Sequence, residues 1–230
     1  MFTGIVEEIG EIEEIRRNGE SLELVIKCSF AKELSIGESV AVNGTCLTVT
    51  KKTDSTFSAD VTPESFRRTS LSELQSGKSV NLERAMKANG RFGGHIVSGH
   101  IDGTGRIKGA TTEGNAVNAT FSVDKKLGKY IIEKGSVCID GISLTVASVS
   151  YGKETDFTVA VIPHTWENTT LSKKPLGSLV NIECDMVGKY IEHFMLFNQE
   201  FNQENETEQE SAEAESEALA EMMTNFTSFH

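Results

Sequence analysis

With 230 residues the chain has room for one large domain or two small ones. It has no apolar run approaching the ~18 residues of a membrane span, and its first ten residues, MFTGIVEEIG, lack the basic start of a secretory signal, so a cytoplasmic protein without a membrane anchor is expected. The formal net charge of -12 is uneven: nine Glu and no Lys or Arg follow from Glu200 onward, the remainder carries only about -3, and nucleic acid is not an expected partner.

Taken in chain order, the segments SLELVIKC, SVAVNGTCLTVT, STFSADV and SVNLERAM alternate apolar and polar residues and are rich in β-branched side chains, as strands are. Gly, Asn and Asp signals such as Asn18-Gly19 and Asn43-Gly44 separate them. Five or six short strands in about 95 residues fit a small antiparallel barrel. AKELS, and DKKLGKYIIEKG later in the chain, read as short helices. Near the C-terminus Val187, Tyr190, Ile191, Phe194 and Phe197 recur at helical spacing, a narrow apolar stripe that packs either on its own barrel or on copies of itself. The Glu-rich residues 200–230 read as a solvated, disordered tail, with SEALAEMM as a candidate short helix.

The chain repeats itself with a period of about 100 residues. SVAVNGTCLTV (39–49) matches SVCIDGISLTV (136–146), VTPESFRRTSL (61–71) matches VIPHTWENTTL (161–171), and GKSVNLERAM (77–86) matches GSLVNIECDM (177–186). The N-terminal FTGIVEEIGEI (2–12) aligns with VSGHIDGTGRI (97–107). The expected organisation is therefore a first barrel over 1–96, a second over 97–186, a helix over 187–199 and the acidic tail.

The stretch GGHIVSGHIDG (93–103) spans the junction. His95 and His100 are spaced for neither a helical metal pair nor one face of a strand, no acidic or cysteine cluster completes a ligand set, and no phosphate-loop ending follows. The four cysteines, Cys28, Cys46, Cys138 and Cys184, lie far apart without a zinc pattern and are expected as free thiols. The repeat makes His100 the counterpart of Ile5: a titratable residue stands where the first copy has an apolar one.

These segments together resemble a known family. MFTGIVEE, NGTCLTV, GRFGGHIVSGHIDG, DGISLTV and NIECDMVGKY, spread over residues 1–197, are similar to riboflavin synthases of the α-chain type. The resemblance implies an all-β chain of two tandem six-stranded antiparallel Greek-key barrels, with a C-terminal helix that assembles a homotrimer. It implies a transferase reaction without cofactor or metal. Two molecules of 6,7-dimethyl-8-ribityllumazine dismutate to riboflavin and 5-amino-6-ribitylamino-pyrimidinedione, the pair being held between the N-terminal barrel of one subunit and the C-terminal barrel of its neighbour.

Carried over position by position, the resemblance implies one substrate pocket in each barrel. In the first barrel the ring is expected to meet Gly4, Ile5 and Val6, Cys46, Leu47 and Thr48, and Asp60, Val61, Thr62, Pro63, Glu64 and Ser65. In the second it is expected to meet Gly99, His100 and Ile101, Ser143, Leu144 and Thr145, and Ile162, Pro163, His164, Thr165, Trp166 and Glu167, with Lys134 reaching in from an adjacent segment. The first step removes a proton from the C7 methyl, and His100 with Thr145 is the expected proton-transfer pair, a histidine being suited to a base near neutral pH. A structural histidine bonded to a backbone carbonyl is the alternative. Cys46 and Ser143, equivalent in the repeat, are candidate nucleophiles or water activators, against a plain buried thiol for Cys46. Ser39 and Asp185 also match functional positions, and Asp185 stands where the first copy has Ala85. Phe2 is expected to cover a pocket, His95 to be structural, His164 to be a weak candidate, and Trp166, Tyr190 and His193 to pack. Two other readings stay open: a non-catalytic lumazine- or flavin-binding protein of the same fold, and a scaffold whose tail docks a partner such as lumazine synthase.

Overall fold

The computed structural model describes residues 1–18, 21–199 and 201. The first copy forms β1 (Glu8–Asn18), β2 (Ser21–Lys27), β3 (Ser39–Val42), β4 (Thr45–Lys52), β5 (Thr56–Val61) and β6 (Ser79–Arg84). The second forms β7 (Gly103–Glu113), β8 (Ala116–Asp124), β9 (Ser136–Ile139), β10 (Ile142–Tyr151), β11 (Glu154–Val161) and β12 (Leu179–Cys184). Each set closes into an antiparallel barrel, in the order β1-β2-β5-β4-β3-β6 and, equivalently, β7-β8-β11-β10-β9-β12. Closure leaves no strand edge open to pairing with another chain. Register shifts recur at equivalent places, between Ile12 and Glu14 and between Ile107 and Gly109, and again between Val49 and Lys51 and between Val146 and Ser148. Such bulges bend a strand, as a small barrel requires.

The Asn-Gly and Asp-Gly signals do what their chemistry dictates. Asn43-Gly44 (φ 45° and 78°) and Asp140-Gly141 (φ 47° and 80°) turn β3 into β4 and β9 into β10 as two-residue hairpins with both central residues left-handed. The expected helix at AKELS is a single 3-10 turn over Ala31–Glu33, and its counterpart shortens to α2 (Lys125–Gly128). Two helical turns were not expected, α1 (Pro63–Arg68) and α3 (Pro163–Glu167). Both begin on proline, whose fixed φ suits a first helical turn, and Thr62 caps the first by accepting from Ser65 N at 3.2 Å. Residues 186–199 are helical, and Val187, Tyr190, Ile191, Phe194 and Phe197 on this segment are each more than half exposed. The proposed tail and its SEALAEMM helix lie outside the described residues apart from Phe201.

Each barrel holds its own core, the first around Leu24, Ile26, Phe57 and Leu82, the second around Phe121, Phe157, Ile139 and Ile182. Between the barrels lies a polar seam that repeats itself. Asn81 Nδ2 donates to Asp140 O (2.9 Å) while Asn81 Oδ1 accepts from Thr170 N (2.7 Å). In the mirrored arrangement Asn181 Nδ2 donates to Asn43 O (2.8 Å) and Asn181 Oδ1 accepts from Ser70 N (2.6 Å). All are buried, so each bond replaces one that water would otherwise make. One departure marks the second copy: Asp140 stands in place of Asn43 and pairs with Lys174 at 2.5 Å, where the first copy has Leu74. Burial raises the Asp140 pKa, against the pull of Lys174.

Replacing Asn181 by Ala strands Ser70 N–H and Asn43 C=O in the seam. The expected cost is about 2–4 kcal/mol, read as a lower urea midpoint with an unchanged slope. Replacing the exposed Glu14, whose ion pair with Arg16 lies in solvent, is expected to leave the midpoint where it is.

Candidate functional site

The N-terminal segment of each copy crosses to the other barrel. Phe2 and Val97 pair back to back across the approximate two-fold axis, Phe2 N donating to Val97 O at 2.7 Å and Val97 N to Phe2 O at 3.2 Å. Beyond this bridge Ser143 N of β10 donates to Gly4 O at 2.7 Å, and Cys46 N of β4 donates to Gly99 O at 2.9 Å. The approach is close enough to demand glycine. A Cβ on Gly4 would lie 2.6 Å from Ser143 Cβ, and one on Gly99 2.6 Å from Cys46 Cβ, both with φ near 80°.

A buried carboxylate secures each crossing. Glu83 Oε1 accepts from Thr3 N (2.7 Å) and Thr3 Oγ1 (2.9 Å), and Oε2 from Gly4 N (3.0 Å). Glu183 repeats this with Ser98 N and Oγ (both 2.7 Å) and Gly99 N (3.0 Å). Burial raises the Glu83 pKa, and the bonds from Thr3 and Gly4 oppose that rise. Both residues were missed from the sequence. Their signal was there, an identical Glu at the same place in VNLER and VNIEC, an unusual residue inside an otherwise buried strand.

The crossing changes the expected grouping of site residues. Within one chain Gly4, Ile5 and Val6 join Ser143, Leu144 and Thr145, and Val6 packs with Trp166 against the second core. Gly99, His100 and Ile101 join Cys46, Leu47 and Thr48 of the first barrel. The sequence places each segment wholly in its own copy; in the structure Glu83 and Glu183 keep it on its own barrel while the bonds from Ser143 N and Cys46 N tie its glycine to the other. The expected pair His100 and Thr145 is accordingly divided. His100 is exposed on the segment bonded to β4, whereas Thr145 lies on β10, paired with Ser136.

The other candidates distribute around these two groups. Ser39 pairs with Thr48, and its carbonyl accepts from Ala85 N. Asp60 and Val61 end β5, paired with Glu23 and Leu22 of β2. Thr62, Pro63, Glu64 and Ser65 open α1; Glu64 there faces Arg67 and Arg68. Ile162, Pro163, His164, Thr165, Trp166 and Glu167 occupy the same place at α3, with Ile162 exposed. Lys134 sits at φ 64° with its N–H on Val146 O, where the first copy places Gly37. A lysine held in the left-handed region costs on the order of 1 kcal/mol. Phe2 does not cover a pocket: it is fully buried on the axis with Ala41, Val97 and Cys138. A cleft of about 520 Å³ borders Thr3, Ile5, Glu83 and Met86, and another of about 490 Å³ runs along Asp60, Val61, Thr62 and Pro63 beside Glu23 and Lys51.

Both repeats match the lumazine binding domain, over residues 3–85 and 98–185. Riboflavin synthase of Actinobacillus pleuropneumoniae is 52% identical over 197 residues, which are 85% of this chain and 90% of that protein. Riboflavin synthase of Bacillus subtilis (strain 168) is 50% identical with the same two coverages. The chain belongs to the riboflavin synthase family. Crystal structures of LumP complexed with riboflavin and with 6,7-dimethyl-8-(1'-D-ribityl) lumazine superpose with TM-scores of 0.72 and 0.71, at 25% identity, over 80% of this chain and 99% of the other.

Among the thiols of this riboflavin synthase family member, burial pushes Cys28 up to about 12 and Cys138 well above its ordinary range, so neither supplies a thiolate. Cys46 is half-buried beside Gly99. Among the described residues no cluster of three or more His, Cys, Asp or Glu is arranged to hold a metal ion.

Exchange of Glu83 for Gln puts an amide N–H against the N–H of Gly4. The expected effects are faster hydrogen exchange at Gly4 and a lower urea midpoint, the loss of one buried hydrogen bond being worth about 1–3 kcal/mol.

Proposed function

We propose that the chain is a riboflavin synthase that dismutates two 6,7-dimethyl-8-ribityllumazine molecules to riboflavin and 5-amino-6-ribitylamino-pyrimidinedione. The observation that carries this reading is identity of about half the residues to riboflavin synthases over 85% of the chain, in both lumazine-binding repeats. One lumazine occupies the group around Cys46–Thr48 and Gly99–Ile101, the other the group around Ser143–Thr145 and Gly4–Val6. Backbone N–H and C=O groups on the crossing segments read the pyrimidinedione, and Thr48, Thr145 and Asp60 suit the ribityl hydroxyls. Lys134, whose strained backbone the first copy avoids with Gly37, reaches the ligand.

The reaction needs the two rings face to face. Holding both reactants in register removes much of the entropy cost of a bimolecular step. The first-barrel pocket of one subunit faces the second-barrel pocket of its neighbour in a cytoplasmic homotrimer. That arrangement brings His100 of one subunit toward Thr145 of the next, reuniting the pair that a single chain divides. His100 takes the C7 methyl proton; the ring delocalises the charge left behind. Cys46, Ser143, Ser39 and Asp185 serve the later additions and proton transfers. The exposed stripe Val187, Tyr190, Ile191, Phe194 and Phe197 supplies the contact between subunits. A non-catalytic lumazine carrier is the second reading, favoured by the LumP superposition. The Glu-rich tail is a candidate dock for lumazine synthase, which co-sedimentation tests.

Purified protein mixed with 6,7-dimethyl-8-ribityllumazine, without metal or cofactor, is expected to yield one riboflavin per two lumazines over many turnovers. Tight binding without conversion would mean a carrier. His100→Gln is expected to lower kcat at least about 100-fold while riboflavin still binds. Phe194→Glu with Phe197→Glu is expected to reduce the sedimenting mass from three chains to one and to abolish turnover.

A further inference from the structure

The sequence gives His95 only a structural place in the linker, yet its ring lies on a candidate nucleophile. His95 Nδ1 is 2.7 Å from Ser143 Oγ. The backbone holds it there: His95 N donates to Thr3 O at 3.2 Å, a Cβ on Gly94 would overlap Thr3 O, and one on Gly93 would lie 3.1 Å from Ile5 Cγ1. The linker is thus pressed onto both the crossing segment and β10. His95 Nε2 is buried and has no hydrogen-bond partner among the described residues. Burial lowers the His95 pKa, against the opposing pull of Asp185 and Glu183, so the ring is neutral near pH 7. A neutral imidazole facing a hydroxyl orients it, as acceptor or as donor.

The arrangement exists on one side of the axis only. Cys46 is the counterpart of Ser143, and the offset that aligns Phe2 with Val97 leaves His95 no partner position in the first copy. Asp185, whose charge acts on His95, likewise replaces Ala85.

Resting on the riboflavin synthase reading, we propose that His95 is a positioning residue for Ser143. It fixes the rotamer and the proton of the Ser143 hydroxyl, so that the second pocket presents an oriented oxygen to its lumazine where the first pocket presents the Cys46 thiol. The two lumazines therefore meet chemically different partners, as a reaction with distinct donor and acceptor requires.

Steady-state kinetics on His95→Ala, His95→Asn, Ser143→Ala and the double variant His95→Ala/Ser143→Ala test the assignment. His95→Ala is expected to lower kcat about 100-fold with KM within about three-fold. Asn carries an amide atom close to where Nδ1 lies and is expected to recover at least about ten-fold of that loss. With Ser143 already replaced, losing His95 is expected to cost less than about three-fold more, because coupled residues are not additive. Normal kcat in His95→Ala, an undiminished loss in the Ser143→Ala background, or no recovery in His95→Asn would overturn the proposal. Should His95→Ala fail to fold, Ser143→Ala with His95 intact decides: the His95 Nδ1 resonance is expected to shift on loss of the hydroxyl, and an unmoved resonance overturns the coupling. Wild-type protein that binds lumazine without turning it over defeats the synthase reading and this one together. Normal wild-type turnover with any of the adverse variant results defeats the His95 assignment alone.

Discussion

Two buried carboxylates, Glu83 and Glu183, hold the part of this molecule on which its proposed chemistry depends. Each takes backbone N–H groups and one hydroxyl from the segment that crosses to the opposite barrel. A carboxylate inside a protein loses its hydration, and only several charge-assisted bonds offset that loss. The bonds therefore select a single path for residues 2–6 and 97–101. Because that path crosses the axis, neither group of site residues is complete within one repeat. The barrels are separate cores joined by a polar seam, yet each needs the other's first residues.

Duplication supplies the frame, and departures from it fall mainly in the second copy. Asp140 with Lys174 replaces Asn43 and Leu74 at the seam. Lys134 accepts the left-handed backbone that Gly37 occupies without cost. Ser143 touching His95 replaces Cys46, and Asp185 replaces Ala85. A protein that only needed two equal binding sites would have little reason to hold a lysine at positive φ or a histidine whose buried Nε2 has no partner among the described residues. These costs gather near Ser143 and its flanks, where strain and burial are expected if function selects them.

Much of the fold was legible from residues alone. Alternation in SVAVNGTCLTV and SVCIDGISLTV, with Asn-Gly and Asp-Gly at fixed places, marks hairpins that the structure contains residue for residue. The short helices α1 and α3 were less legible, since six or fewer residues give too little periodicity to see. Only the proline at their first turn betrays them. The place of Phe2 is not legible in the same way, because an apolar residue at this position gives no hint of whether it meets ligand or core. Burial between Ala41, Val97 and Cys138 decides that.

The sequence by itself determined that there are two alike barrels, where their strands run, and which short segments carry unusual residues, because strand period, turn chemistry and internal repetition are local. Tertiary structure alone decided which segment serves which barrel. Residues 2–6 have the same alternation whether they lie beside β4 or beside β10, and both strands offer a free N–H at the equivalent place. The choice follows from the Phe2–Val97 bridge on the axis and from the Glu83 and Glu183 bonds, contacts between residues 79 or more positions apart. Contact between His95 and Ser143, 48 positions apart, has the same origin. No pattern within either stretch encodes it; the packing of a linker against a barrel does.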